Sequence, residues 1–376
     1  MPGRGLYVHL PFCPYICPYC DFAKWPLARS RAREYMVALE NEIARAPGFT
    51  ATTVFLGGGT PNTYDPPVVA ALVERLRQRF ALPEEAEISV EANPDAALCT
   101  SFREYGDAGV NRLSFGVQSF VEEELRVLGR RHTPDDVSAA VARARADGLR
   151  NISLDLIFGV PGQTPESWQR SLEAALALEP QHVSTYGLTV EAGTPFETWQ
   201  AREPQAFAGS DREAELYGRA IDTLEAAGYE QYEISNFARP GFRCAHNENY
   251  WANGEYLGLG VGAASFLAGV RSTHTRDLAT YVTAATGGHA IPGESERLEG
   301  PARVGEAAML ALRTQQGVDL ATFAERYGVD VLSYYEPVLS EMTATGLLEV
   351  GASRVRLTRR GRFLANDVCA AFVNFT

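Results

Sequence analysis

The chain has 376 residues, 45% hydrophobic and 22% charged, with a formal net charge of −13. That size suits one large domain with a small one beside it, and the acidity argues against nucleic acid as a partner. No stretch approaches the ~18 apolar residues that span a membrane, no secretory segment opens the chain, and the six cysteines do not make a disulfide scaffold. Reduced thiols in a cytoplasm are expected.

From the N terminus, short apolar runs alternate with longer amphipathic stretches, the signature of βα units on a parallel sheet. Strands are expected at 6–10, 53–56, 86–91, 112–117, 152–158 and 183–188. Helices are expected at 29–46, 67–80, 97–108, 122–128 with 134–147, 165–178 and 211–227. Six such repeats predict an α/β fold, a partial (β/α)6 TIM-like barrel over residues 1–235, with its chemistry at the carboxyl ends of the strands. A strand at 229–234 and a connecting segment over 236–300 follow, the latter opening on a loop rich in Asn, Gly and aromatics. Helical patterns at 302–313, 320–327 and 331–345, two strands around Gly351 and a last helix at 360–372 predict a winged-helix-like α+β domain over 301–376. Without a basic recognition helix, this module is expected to face protein or act as a lid.

The polar and glycine-rich residues fall at the expected strand ends. After the first strand comes Cys13-Pro-Tyr-Ile-Cys17-Pro-Tyr-Cys20, three of the six cysteines within eight residues. Thiolates hold iron–sulfur clusters, a four-iron cluster normally takes four, and three would leave one iron open for chemistry. Zinc is the competing reading, but its second cysteine pair is missing, since Cys99, Cys244 and Cys369 are isolated. Cys99 and Cys369 read as small core residues, and Glu122-Glu-Glu as a solvated helix start.

After the second strand, Gly57-Gly58-Gly59-Thr60-Pro61 would let backbone approach a ligand closely and expose amides and carbonyls, as anion cradles do. No Lys-Ser or Lys-Thr completes a P-loop and no GxGxxG is present, so a plain turn or a site for an amino acid's ammonium or carboxylate remain. Glu91 and Asp155 are acids in otherwise apolar strands, which demand partners: a ligand's ribose hydroxyl or ammonium, or salt bridges to Arg112, Arg130 or Arg131. Gln118 either caps the following helix or reads a ligand.

Together, the strand, the CxxxCxxC run and the glycine loop resemble the radical S-adenosylmethionine (SAM) superfamily. In that family three cysteines hold a 4Fe–4S cluster, and SAM occupies the fourth iron. Leu6-Tyr-Val-His-Leu-Pro-Phe-Cys, Gly57-Gly-Gly-Thr-Pro, Glu91-Ala-Asn-Pro, Gly116-Val-Gln-Ser-Phe, Arg130-Arg-His and Asp155-Leu-Ile-Phe-Gly-Val-Pro-Gly narrow the resemblance, over essentially the whole chain, to the HemN-like (coproporphyrinogen dehydrogenase) family. It implies that Cys13, Cys17 and Cys20 bind the metal cluster and that Tyr7, Gly58, Gly59, Thr60, Glu91, Gln118, Arg130 and Asp155 line the SAM site.

Oxygen-independent coproporphyrinogen dehydrogenases carry a further cysteine two places after the third and an N-terminal extension. Here Phe22 stands at that position, and only five residues precede the expected first strand. Both departures match the HemW-type haem chaperones of the family, as does Cys244-Ala-His246-Asn247-Glu-Asn-Tyr250-Trp251, which is similar to their HNxxYW motif. In that segment an imidazole and two flat aromatic rings suit a porphyrin, so His246, Tyr250 and Trp251 are the haem candidates. The resemblance implies three cofactors, the 4Fe–4S cluster, SAM and haem as cargo. It implies as partners acceptor haem proteins of the respiratory chain and a reductant such as flavodoxin or a reductase, and leaves a homodimer open. The alternatives are the decarboxylating dehydrogenase, a HemN-like methyltransferase and a haem-ring-opening enzyme.

Overall fold

The computed structural model describes residues 3–48 and 50–375. Strands β1 (Gly5–Leu10), β2 (Thr53–Gly58), β3 (Glu87–Ala92), β4 (Arg112–Gln118), β5 (Asn151–Phe158) and β6 (His182–Gly187) lie side by side in parallel. Side chains alternate between the two faces of a strand. One set is apolar: Leu6, Val8 and Leu10 of β1, Val54 and Leu56 of β2, Leu113, Phe115 and Val117 of β4 are buried in a core shared with the surrounding helices. The other set is polar, running Tyr7 and His9, Glu87, Ser89 and Glu91, Arg112, Ser114 and Gln118, Ser153 and Asp155, Ser184 and Tyr186. The sheet therefore has an oily convex face under helices and a polar concave interior.

Helix starts follow simple chemistry. Thr133-Pro134 and Thr164-Pro165 each open a helix (Pro134–Ala146, Pro165–Ala177) with a reciprocal capping box, and Thr194 caps Pro195–Arg202. The helix expected at 97–108 shrinks to Arg103–Asp107. The preceding stretch is occupied by turns in which Asp95 Oδ1 accepts from Ala97 N–H (3.0 Å) and Asp147 Oδ2 from Phe102 N–H (2.8 Å). The acidic run is only partly solvated: Glu124 is buried, accepting from Ser119 Oγ (2.6 Å) and Gln163 Nε2 (2.9 Å).

The sheet continues past both edges of the six strands to twelve in all. Beyond β6 lie Asn236–Ala238 and then Glu230–Gln231, so the strand expected at 229–234 is a two-residue edge. Beyond β1, Tyr256–Leu259 adds in parallel and leads to an antiparallel ribbon, Ala264–Leu267, Val270–His274 and Gly293–Glu296. Residues 236–300 are thus built into the sheet, and their helix Leu278–Thr286 packs on Arg29–Arg45 through Tyr281 OH donating to Glu42 Oε2 (2.6 Å). β1 and β6 do not pair, so the barrel is open, as expected of a partial (β/α)6 fold.

A second core, from Val304 to Phe372, belongs to the C-terminal α+β unit. Its two expected wing strands (Leu348–Val350, Arg354–Leu357) gain a third, Val318–Asp319. The helix expected at 331–345 is interrupted before Pro337, giving Val331–Tyr334 and Glu336–Ala344, and the last helix divides at Leu364. Ile234 packs against both cores. Cys99 and Cys369 are buried as expected.

Candidate functional site

The cysteine run leaves β1 as a clamped loop. Phe12–Cys13 pairs in parallel with Trp25–Pro26, and Leu27 N–H donates to Cys13 O (2.9 Å), so both ends of the loop are tied. His9 ties it a third time: its Nε2 meets Ala23 O at 2.7 Å while Nδ1 meets Tyr7 OH at 2.9 Å. The loop is placed by β1, and β1 by the sheet.

The glycine run does something other than cradle an anion. Gly58 N–H donates to Glu91 Oε2 (3.0 Å), Gly59 N–H to Leu10 O (3.0 Å) and Thr60 N–H to Phe12 O (3.0 Å). Those amides are consumed in knitting β2 to β1 and β3. Two glycines are required sterically: a Cβ on Gly59 would stand 2.5 Å from Leu10 O, and one on Gly58, at φ +95°, 2.1 Å from His9 Nδ1. Carbonyl oxygens are what the run has left to offer, and acceptors suit an ammonium group.

Ten of the eleven residues expected at the cluster and SAM sites line one cavity of about 430 Å³: Cys13, Cys17, Cys20, Gly58, Gly59, Thr60, Glu91, Gln118, Arg130 and Asp155. The eleventh, Tyr7, lines an adjoining chamber of about 190 Å³, which shares Glu91, Ser114, Asp155 and Tyr186 with the larger one. Among the described residues no three His, Cys, Asp or Glu side chains are grouped to hold a single metal ion.

Electrostatics follow from burial. Burial pushes the Cys13 thiol up to about 11 and raises Cys20 as well. Arg130 is held by Gly116 O (Nη2, 2.6 Å) with Nη1 3.7 Å from Cys17 Sγ, a fixed cation beside a thiol. Burial raises Glu91 to about 7, against the pull of Gly58 N–H and Arg112 and with the push of Asp155. Asp155 is also raised by burial, opposed by hydroxyls from Ser184 (2.7 Å) and Ser114 (3.0 and 3.1 Å). Serine hydroxyls, not arginine ion pairs, are its contact partners. Gln118 has φ +67° at a register break in β4, a strained non-glycine conformation that re-aims its side chain at the strand end.

The cavity also takes in Asn93 of the Glu91-Ala-Asn-Pro run, and Tyr15, Tyr19, Ser114, Tyr186 and Glu191, to which the sequence assigned no role. Ser114 shares the strand parity of Arg112, and Tyr186 that of Ser184, which pairs with Asp155; that alternation was the available signal. Phe22 also lines the cavity, 57% exposed.

The HNxxYW segment is a short helix, Ala245–Trp251, and not a loop. Glu87 caps its start, accepting from Ala245 N–H (2.9 Å) and His246 N–H (3.1 Å). His246 is 1% exposed and both ring nitrogens are engaged, Nδ1 with Thr53 Oγ1 (2.8 Å) and Nε2 with Tyr250 OH (2.9 Å), while its ring stacks on Phe55 at 5.3 Å. His246 and Tyr250 line the inner chamber with Tyr7. Trp251 points elsewhere, into a cavity of about 360 Å³ between this helix and the C-terminal unit, with its indole Nε1 buried and unpartnered. The three haem candidates are therefore not brought together.

An open parallel barrel with three thiols, a glycine run and two half-buried acids converging above its strands has the layout of a radical SAM protein, and the family model described as "Radical SAM superfamily" matches residues 7–175. The "HemN C-terminal domain" model matches 298–364. The chain is 36% identical over 375 residues to "Heme chaperone HemW" of Bacillus subtilis (98% of this chain, 99% of that protein) and 36% identical to the protein of the same name in Escherichia coli (99% of each). It belongs to that HemW family within the radical SAM superfamily. The solved coproporphyrinogen III oxidase HemN of Escherichia coli superposes with a TM-score of 0.84 at 25% identity, covering 100% of this chain and 91% of that one.

Proposed function

We propose that this chain is a radical-SAM-type haem chaperone, in which Cys13, Cys17 and Cys20 hold a 4Fe–4S cluster and the cavity residues Gly58, Gly59, Thr60, Glu91, Gln118, Arg130 and Asp155, with Tyr7 behind them, form the SAM site. The reading rests on the convergence of those thiols, acids and glycines on one cavity. When bound, the reduced cluster supplies the electron for reductive cleavage of SAM. The chain's own part is to hold the thiols in a clamped loop, to aim acceptors at SAM's hydroxyl and ammonium groups, and to keep Arg130 beside Cys17.

Against the decarboxylase alternative stands Phe22, a side chain with no ligating atom at the cavity rim where the dehydrogenases carry a further cysteine. The relatives named as haem chaperones, similar over nearly the whole chain, favour haem as cargo. Of the haem candidates, Trp251 is the one beside open space between the units, and we read haem contact there, with His246 supporting the helix from behind. Residues 1–235 are read as the radical SAM core, 236–300 as the segment carrying the HNxxYW helix and 301–376 as the HemN-like C-terminal unit. No helix among the described residues is long and apolar enough to cross a membrane. A cytoplasmic site of action, respiratory haem proteins as acceptors and a flavodoxin-like reductant complete the proposal.

Anaerobic analysis for iron and sulfide, followed by haem titration and transfer to an apo-acceptor, tests it. About four irons and four sulfides per chain, lost in Cys20→Ala, with stoichiometric haem binding and transfer, are expected. A cluster without haem binding sinks the chaperone reading, and vinyl product in an anaerobic coproporphyrinogen assay reinstates the dehydrogenase.

A further inference from the structure

Below Glu91 and Asp155, on the floor of the sheet's interior, lies Arg112. It opens β4 on the same face as Ser114, is 2% exposed, and lines the inner chamber with both acids. Among the described residues no carboxylate oxygen stands within 4.0 Å of its guanidinium, and its Nε has no partner. A guanidinium buried in this way is costly unless charge compensates it at longer range, which the low-dielectric interior allows.

Burial opposes its charge, and Cys244, Glu87, Tyr232 and Asp155 favour it, in falling order. Arg112 in turn lowers Asp155 and, as the smallest of the causes acting there, Glu91, both against the effect of burial. The absence of contact matters chemically. A contact salt bridge would occupy further carboxylate lone pairs, whereas a cation that makes none stabilises the charge and leaves to a ligand the lone pairs that Gly58 N–H and the serine hydroxyls do not take.

We infer that Arg112 is the buried counter-charge of the SAM site, a positioning residue that keeps the Glu91 and Asp155 carboxylates available as acceptors without occupying them; this rests on the SAM reading above. The other groups facing the pair are accounted for. Glu91 also accepts from Gly58 N–H and acts electrostatically on Tyr7 and Tyr250, and Asp155 accepts from the hydroxyls of Ser114, Ser153 and Ser184 and acts electrostatically on Tyr186. His182 and His246, which also face Arg112, are held neutral by burial first and by its charge second. Among the described residues, Arg112 is the one Lys or Arg that lines the inner chamber.

The test compares Arg112→Lys, which keeps the charge, with Arg112→Gln, which keeps hydrogen bonding and loses it. Without SAM, the Lys variant gains in unfolding midpoint over the Gln variant as pH rises from about 5 to about 9, because the cation stabilises only ionised acids. With SAM and the reconstituted cluster, the pH at which binding is half-maximal moves upward by about one pH unit in Arg112→Gln and stays at the wild-type value in Arg112→Lys. A stability difference that does not change with pH, or a uniform loss of SAM affinity with no movement along the pH axis, overturns the counter-charge role. A wild type that binds no SAM at any pH overturns the SAM reading, and the unfolding series still decides the role of Arg112.

Discussion

At the scale of single residues, His246 shows how one position can carry a motif and yet serve the fold. Its two ring nitrogens join Thr53, on β2, to Tyr250, one helical turn onward, and its ring covers Phe55. His246→Ala would remove the packing and strand the buried Thr53 hydroxyl and the half-buried Tyr250 hydroxyl, an expected loss of about 2–4 kcal/mol by urea unfolding. The pH dependence has a definite sign. Burial depresses the folded-state value to about 3 from 6.5, so the unfolded chain binds the extra proton first. The stability from keeping His246 neutral is complete above 6.5 and drains as pH falls toward 3. The alanine variant should therefore lose less stability on acidification than the wild type, and an unchanged acid slope would count against a buried neutral imidazole.

Among the elements, the β1–β2 junction sets the site. Gly58 is pressed on His9, and His9 holds Ala23 at the far end of the cysteine loop. Gly58→Ala adds a methyl group where there is no room and forces alanine to φ +95°, whereas Gly162→Ala meets the same kind of backbone strain at φ +84° with nothing within 4 Å. The first should lose bound iron after reconstitution and about 2–4 kcal/mol of stability, and the second only about 1 kcal/mol with iron unchanged. Equal iron content in the two would show that the loop does not depend on the His9 contact. The strands of this junction were readable from sequence because each is short, apolar on one face and closed by punctuating Gly, Pro or Asn. The purpose of the glycines was not: spacing suggests free amides, and only the register of β1 against β2 reveals that those amides are spent. The HNxxYW helix was hidden for a different reason. Seven residues are too few for a 3.6-residue period to declare itself, and the Glu87 that caps it lies far back in the chain.

On the scale of the whole molecule, the proposed division of labour lies between the barrel interior, read as the site of a cluster and SAM, and the seam between the two cores. Arg326 crosses that seam to donate to Ala252 O (2.7 Å) and Asn253 O (3.0 Å), just past the HNxxYW helix, and Arg359 reaches Asp222 on the barrel side. The Trp251 cavity lies in this seam, flanked by Tyr232 from the barrel and Phe323 and Tyr327 from the C-terminal unit. Arg313 stands 6.0 Å over the indole ring, and a flat ligand entering there would meet aromatic residues from both units, Tyr232 and Trp251 on one side and Phe323 and Tyr327 on the other. If haem is carried in the seam, Trp251→Ala should weaken haem binding roughly tenfold, the equivalent of about 1.4 kcal/mol, while iron and sulfide content and SAM binding stay at wild-type levels. Haem titration beside cluster analysis on the same preparation reads both. Loss of haem together with loss of the cluster would place the cargo at the barrel mouth instead, since the tryptophan lies outside the cavity that Cys13, Cys17 and Cys20 line.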